Sequence, residues 1–147
     1  MRSFFKTNRT LSSRRKALLT DFQKRIGVKF KDLHLLDTAF YHRSFANETA
    51  GAAENNERLE FLGDAVLGMT AASYLYETLH DAPEGELTKI KSFVVSETSL
   101  SEIALDIGIE QCLCLGKGEE HSGGRSKKAI LADMTEAVFG LVPRFGI

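Results

Sequence analysis

Glu57, Glu60 and Asp64 stand three and four residues apart. Successive residues of an α-helix turn by about 100°, so the three carboxylates fall within about 60° of one another on one face. Like charges at these spacings cost helix stability, yet all-oxygen clusters are what hard divalent cations take as ligands. Asp133 and Glu136 repeat the spacing near the end of the chain. The chemistry such a set could support is phosphodiester hydrolysis. Bound metal reverses the sign of an acidic site toward an anionic substrate, activates a water and stabilises the leaving oxygen.

The elements that carry these acids follow from their apolar neighbours. Leu59, Leu62, Val66 and Leu67 form a core-facing stripe opposite the first three acids, which predicts an amphipathic helix running to about Leu79. An acidic face can simply be solvated. Against that stand Gly63 and Gly68, each costing about 1 kcal/mol relative to Ala in a helix, which imply that something approaches the backbone closely. A last helix over residues 126–142 places Ile130, Leu131, Met134, Ala137, Val138 and Leu141 inward, and Pro143 closes it. Asp133 and Glu136 sit beside that stripe rather than opposite it, where carboxylates without a cation would be costly. The economical arrangement sets Glu60 and Asp64 against Asp133 and Glu136 across a helix interface, with Mg²⁺ or Mn²⁺ between them.

The rest of the chain reads as scaffold. Its 147 residues, 43% hydrophobic and 27% charged, suit one domain able to bury a core. The net charge of -1 hides an asymmetry: six of the 19 basic residues and no acid lie in the first twenty positions. Residues 1–15 read as a basic flexible tail, with an organelle transit peptide as the other meaning of such a composition, and residues 16–147 as the domain. Nothing resembles a transmembrane run or a secretory signal, and Cys112 and Cys114 read as reduced thiols, so a soluble intracellular protein is expected. Helices are predicted over residues 16–26, ended by Gly27, and 32–41, with Leu18, Leu19, Phe22 and Ile26, then Leu33, Leu36 and Phe40, inward. Two more run over residues 84–95, started by Pro83, and 97–107, capped by Ser96 and stopped by Gly108, with Leu100, Ile103, Ala104 and Ile107 inward. Residues 47–55 and the glycine-rich 116–124 read as loops, the latter either a connector or a cradle whose amides meet phosphates. No alternating strand pattern occurs, so the fold is expected to be all-α.

Four ordered segments resemble the ribonuclease III family: His42-Arg-Ser-Phe-Ala-Asn-Glu, residues 56–67, Leu115-Gly-Lys-Gly-Glu-Glu-His-Ser-Gly-Gly-Arg, and Leu131-Ala-Asp-Met-Thr-Glu-Ala. The resemblance implies the all-α endonuclease-domain fold and hydrolysis of both strands of double-stranded RNA with Mg²⁺, for which Mn²⁺ can substitute. It further implies 5′-phosphate products, work in ribosomal and messenger RNA processing in the cytoplasm, and a homodimer. Glu60, Asp64, Asp133 and Glu136 match the metal-binding carboxylates, with Asp64 and Glu136 as the catalytic pair and Glu57 as a supporting acid. Phe61 matches an aromatic that inserts into the partner at the dimer interface. Arg125, Lys127 and Lys128, beside the last helix, are the expected RNA contacts together with the basic tail. The match fades after Ala137, so the chain reads as truncated or diverged there and without a double-stranded RNA-binding domain.

Three other readings are weighed. A helical di-iron site would need two Glu-x-x-His pairs, and only Glu77 and His80 have that spacing. An all-helical nucleoside triphosphate pyrophosphohydrolase also pairs carboxylates around Mg²⁺, and a non-catalytic RNA-binding or assembly module could keep the same fold. Retention of all four acids speaks against the module. His42 and Ser44 lack a third group to orient them for nucleophilic catalysis, and His42 reads as structural.

Overall fold

The computed structural model describes residues 10–49 and 54–142. Among these residues eight α-helices follow one another: α1 (Ser13–Ile26), α2 (Leu33–Ala39), α3 (Arg43–Glu48), α4 (Glu57–Thr78), α5 (Glu84–Val94), α6 (Glu97–Asp106), α7 (Lys117–His121) and α8 (Lys128–Phe139). Tight 3-10 turns occupy Ile109–Gln111 and Gly124–Ser126. The described residues contain no strand, only an isolated bridge between Tyr41 and Cys114, so the fold is all-α as the sequence implies.

Helix ends fall where side-chain chemistry puts them. The Ser12 and Ser96 hydroxyls accept backbone N–H groups of α1 and α6, and the Asp32 carboxylate accepts two from α2. Gly27 and Gly108 take left-handed conformations, at φ 69° and 74°. The core forms around α8, whose Ile130, Leu131, Met134, Ala137 and Val138 are all buried together with Leu141 beyond its end. Against it lie Leu19 and Phe22 of α1, Leu36 of α2, Leu59 of α4 and Ala104 of α6. Phe22 meets Phe40 edge to face at 5.2 Å between ring centroids.

Several expectations need correction. Helix α1 starts at Ser13, three residues before the expected domain boundary, because Ser12 caps it and Arg15 is turned into the protein. The Arg15 guanidinium donates to Asp37 at 2.5 Å and to the Cys112 carbonyl at 2.7 Å, while Tyr41 donates to the other Asp37 oxygen. Arg14 and Arg15 are therefore helix rather than tail, and residues 1–9 lie outside the described residues, as does Pro143. The segment assigned to a loop over 116–124 holds α7, and α3 takes the first two residues of the other expected loop. Helix α8 ends at Phe139 rather than at residue 142. Ile103 is 42% exposed, because α6 turns Leu100, Ser101 and Ala104 inward and leaves its neighbour outside. Leu62 and Val66 are only half-buried.

The dominant packing is α8 between α4 and α6, and two glycines set how closely α4 approaches. A methyl group added at Gly63 would lie 1.7 Å from the Glu136 carbonyl oxygen, and one at Gly140 would lie 2.2 Å from that of Leu59. The helices thus cross backbone to backbone. Gly68, expected to share this role, has nothing within 4 Å of such a methyl. Gly63→Ala should destabilise the fold by about 3 kcal/mol or more, since backbone atoms cannot yield as side chains do. Gly68→Ala should instead stabilise it by about 0.5–1 kcal/mol through reduced freedom of the unfolded chain. Urea unfolding of both variants checks the contrast, and equal effects would contradict it.

Candidate metal centre

The close crossing of α4 and α8 brings carboxylates from the two helices together. One oxygen each of Glu60, Asp133 and Glu136 lies within 4.8 Å of the others, and all three side chains are half-buried. None of these carboxylates takes part in an ion pair or side-chain hydrogen bond among the described residues. Asp64 is exposed and stands outside this tight set. Its charge still reaches the cluster. Burial, and then the charges of Asp64, Asp133 and Glu60, push Glu136 up to about 7. Burial, and then Asp133, Glu57 and Asp64, raise Glu60 above the ordinary carboxylate range. Asp133 is raised by burial and then by Glu97, at the start of α6, an acid that sequence spacing gave no reason to include.

Each of the three converging acids thus resists ionisation, and no cationic side chain among the described residues pairs with it. A divalent cation would relieve this. The donor set is all oxygen, drawn from two rigid helices, which fits a hard cation and gives no reason to prefer a softer one. Glu57 is exposed at the first position of α4, where Asn55 accepts its N–H and donates to its carboxylate, each at 3.1 Å. Asn56 is buried, with its side-chain amide 3.4 Å from the Met134 sulfur and its N–H donating to the Tyr41 carbonyl. The contact of Asn56 with Met134 seats the start of α4 on α8.

Beside the carboxylates opens a cleft of about 550 Å³ whose walls include Glu60 and Asp133, then His42, Arg43, Glu119 and Lys127. Two of the segments noted in the sequence meet at its edge. Ser44 Oγ accepts the Gly116 N–H at 2.8 Å, and Glu48 accepts the Lys117 N–H at 2.8 Å. Gly116 is required there, since a methyl group on it would lie 2.7 Å from the Ser44 backbone carbonyl oxygen. His42 caps α3, with Nδ1 taking the Ser44 N–H at 3.3 Å and lying 2.8 Å from its hydroxyl. Burial lowers its proton affinity, ahead of an opposing influence from Glu119. Its contacts with Ser44 are those of a helix cap.

The basic residues fare differently from expectation. Arg125 donates to both Glu120 oxygens at 2.9 and 2.6 Å and to the carbonyls of Glu110 and Leu113 at 2.5 and 3.3 Å. That guanidinium fastens the loop. Lys127 pairs with Glu119 at 2.6 Å, and Lys128 is exposed. In the glycine-rich segment the amides of Gly116, Lys117, Glu120, Ser122 and Gly123 are engaged within the fold, as a connector's would be. Phe61 is 82% exposed, on α4 between the acids.

The all-helical fold is that of a nuclease domain already known in three dimensions. The nuclease domain of ribonuclease III from Campylobacter jejuni matches with a TM-score of 0.80 and 34% identity over 87% of this chain and 86% of that one. Residues 32–143 match a family model described as Ribonuclease-III-like. Ribonuclease 3 of Treponema denticola is 62% identical over 130 residues, covering 88% of this chain and 53% of that protein. Ribonuclease 3 of Treponema pallidum is 51% identical over 139 residues, covering 93% and 55%. The chain belongs to the ribonuclease III family, and it spans about half the length of the curated relatives it matches.

Glu136 makes the cluster sensitive to pH. With its folded value raised to about 7, the metal-free folded chain holds this proton more tightly than the unfolded chain does. The resulting stability is complete below the ordinary carboxylate value and is lost as pH rises through about 7. Without metal, Glu136→Gln should therefore melt above the wild type at about pH 8, with the difference closing toward about pH 4. Calorimetry in a chelator tests this, and a difference independent of pH would contradict it.

Proposed function

We propose that this chain is a metal-dependent endoribonuclease domain that hydrolyses phosphodiester bonds of double-stranded RNA and leaves 5′ phosphates. The observation that carries the reading is the convergence of Glu60, Asp133 and Glu136 at the α4–α8 crossing in a chain of this family. These three side chains would hold Mg²⁺, or Mn²⁺ in its place, with Asp64 at the open margin of the set. A bound divalent cation supplies Lewis acidity, neutralising charge on a phosphodiester and making water a better nucleophile at neutral pH. The protein's own part is to hold the ligands. Gly63 fixes the spacing of the two helices, Glu57 adds negative charge beside Glu60, and half-burial limits competition from water. Asp64 and Glu136 are assigned as the catalytic pair, Asp64 being the exposed acid that a substrate could meet directly.

The same reading includes a homodimer. Phe61, Met69, Tyr74 and Tyr76 of α4 and Phe93 of α5 are large apolar side chains at 67–82% exposure, more than single scattered residues explain. In the Campylobacter jejuni nuclease domain, structural flexibility is described in a region involved in dimer formation. A two-fold pair of sites would match the symmetry of an RNA duplex, each site cutting one strand. Work on ribosomal and messenger RNA in the cytoplasm belongs to this proposal, and no described helix is long and apolar enough to cross a membrane.

Two measurements decide these points. Glu136→Gln should lose more activity on long duplex RNA with Mg²⁺ than the roughly 10- to 100-fold typical of removing an outer partner of a metal ligand, while its helical circular dichroism is unchanged. Near wild-type cutting by that variant, or hydrolysis of nucleoside triphosphates in preference to duplex RNA by the wild type, would overturn the assignment. In light scattering, the wild type should be a dimer that Phe61→Ala shifts toward monomer. An unchanged dimer would remove Phe61 from the interface.

A further inference from the structure

The cleft beside the metal centre is lined by both kinds of charge, Glu57, Glu60, Glu119 and Asp133 together with the basic side chains of His42, Arg43 and Lys127. A nucleic-acid strand that presents one phosphate to the acids must lay neighbouring phosphates along the walls, where only cations and hydrogen-bond donors hold them. Two of the three basic groups are already committed. His42 turns Nδ1 back on Ser44 at 2.8 Å, and Lys127 holds Glu119 at 2.6 Å and Ser122 at 3.1 Å. Arg43 differs. It is exposed at the first position of α3, and its guanidinium has no hydrogen bond or ion pair among the described residues.

Its backbone, by contrast, is firmly placed. The His42 N–H donates to the Cys114 carbonyl at 3.1 Å, and Ser44 and Glu48 tie α3 to the start of α7. An uncommitted positive charge on a fixed base, in the same cleft as Glu60 and Asp133, is suited to hold phosphate oxygens by charge-assisted hydrogen bonds. We propose that Arg43 is a phosphate-anchoring residue that holds the RNA backbone next to the phosphate presented to Glu60, Asp133 and Glu136. The inference rests on the nuclease reading of that site.

The test separates the two ideas. Binding of a perfectly paired RNA duplex is measured with Mg²⁺ over a range of salt concentrations, using the Glu136→Gln chain with and without Arg43→Ala. Losing Arg43 should weaken binding about tenfold at moderate salt and lower the slope of log affinity against log salt by about one. In otherwise wild-type protein, Arg43→Ala should raise KM while keeping kcat and the melting temperature, and Arg43→Lys should recover much of the loss. An unchanged slope and KM would overturn the proposal, as would a loss that follows a fall in melting temperature and that Lys fails to recover. If the wild type leaves duplex RNA uncut, the nuclease reading fails, and the salt slope still decides whether Arg43 holds RNA.

Discussion

The backbones of α4 and α8 cross at Gly63 and Gly140 with no room for a side chain on either. Everything that could be chemistry in this protein depends on that contact. Carboxylate side chains are short, and acids from two helices can share one cation only if the helices are nearer than ordinary packing of larger residues permits. Each glycine carries an intrinsic helix cost of roughly 1 kcal/mol. At Gly63 the cost is offset by tight packing on α8, so the residue that weakens the helix is also the one that assembles the site.

The cluster itself works against folding. Half-burial and mutual repulsion raise Glu60, Asp133 and Glu136 together, and nothing within the described protein neutralises them. Stability must therefore come from elsewhere, and its source is visible in α8, which buries one face in the core while carrying Asp133 and Glu136 on its flank. A rigid apolar face holding strained polar groups is how preorganised sites are generally kept in place. The Arg15–Asp37–Tyr41 network serves the same end. It ties α1 to α2 and to the Cys112 carbonyl through a carboxylate that is only 2% exposed.

The site is also framed by contacts between segments distant in sequence. Ser44 and Glu48 take up the first amides of the α7 segment, and Arg125 closes that segment onto Glu120 and two carbonyls. One wall of the cleft is built in this way from α3 and the α7 loop, while the acids come from α4 and α8. The polar, glycine-rich composition of residues 116–124 has a structural meaning. Gly116 permits close approach to α3, and Gly123 turns the chain at φ 75°.

Much of this protein is local, and the sequence alone determined it. The apolar stripe of α8, the capping by Ser96, the stops at Gly27 and Gly108 and the one-face spacing of Glu57, Glu60 and Asp64 all follow from 3.6-residue periodicity and from hydrogen bonds within a few residues. So does the all-helical class. The resemblance of four short segments added the family and named the acids. Tertiary structure decided the rest, because it depends on what lies opposite a residue. Gly63 and Gly68 look alike in the sequence, yet only the first faces another backbone. Arg125 and Arg43 are both arginines in family-like segments, and only the structure shows that one of them is held by Glu120, at 2.6 Å. The short helices α3 and α7 have too few residues for a periodic signal and exist through contacts with each other. Glu60 and Asp133 are 73 positions apart, and no pattern within either helix sets the distance between them. That distance is fixed by the packing of α4 on α8.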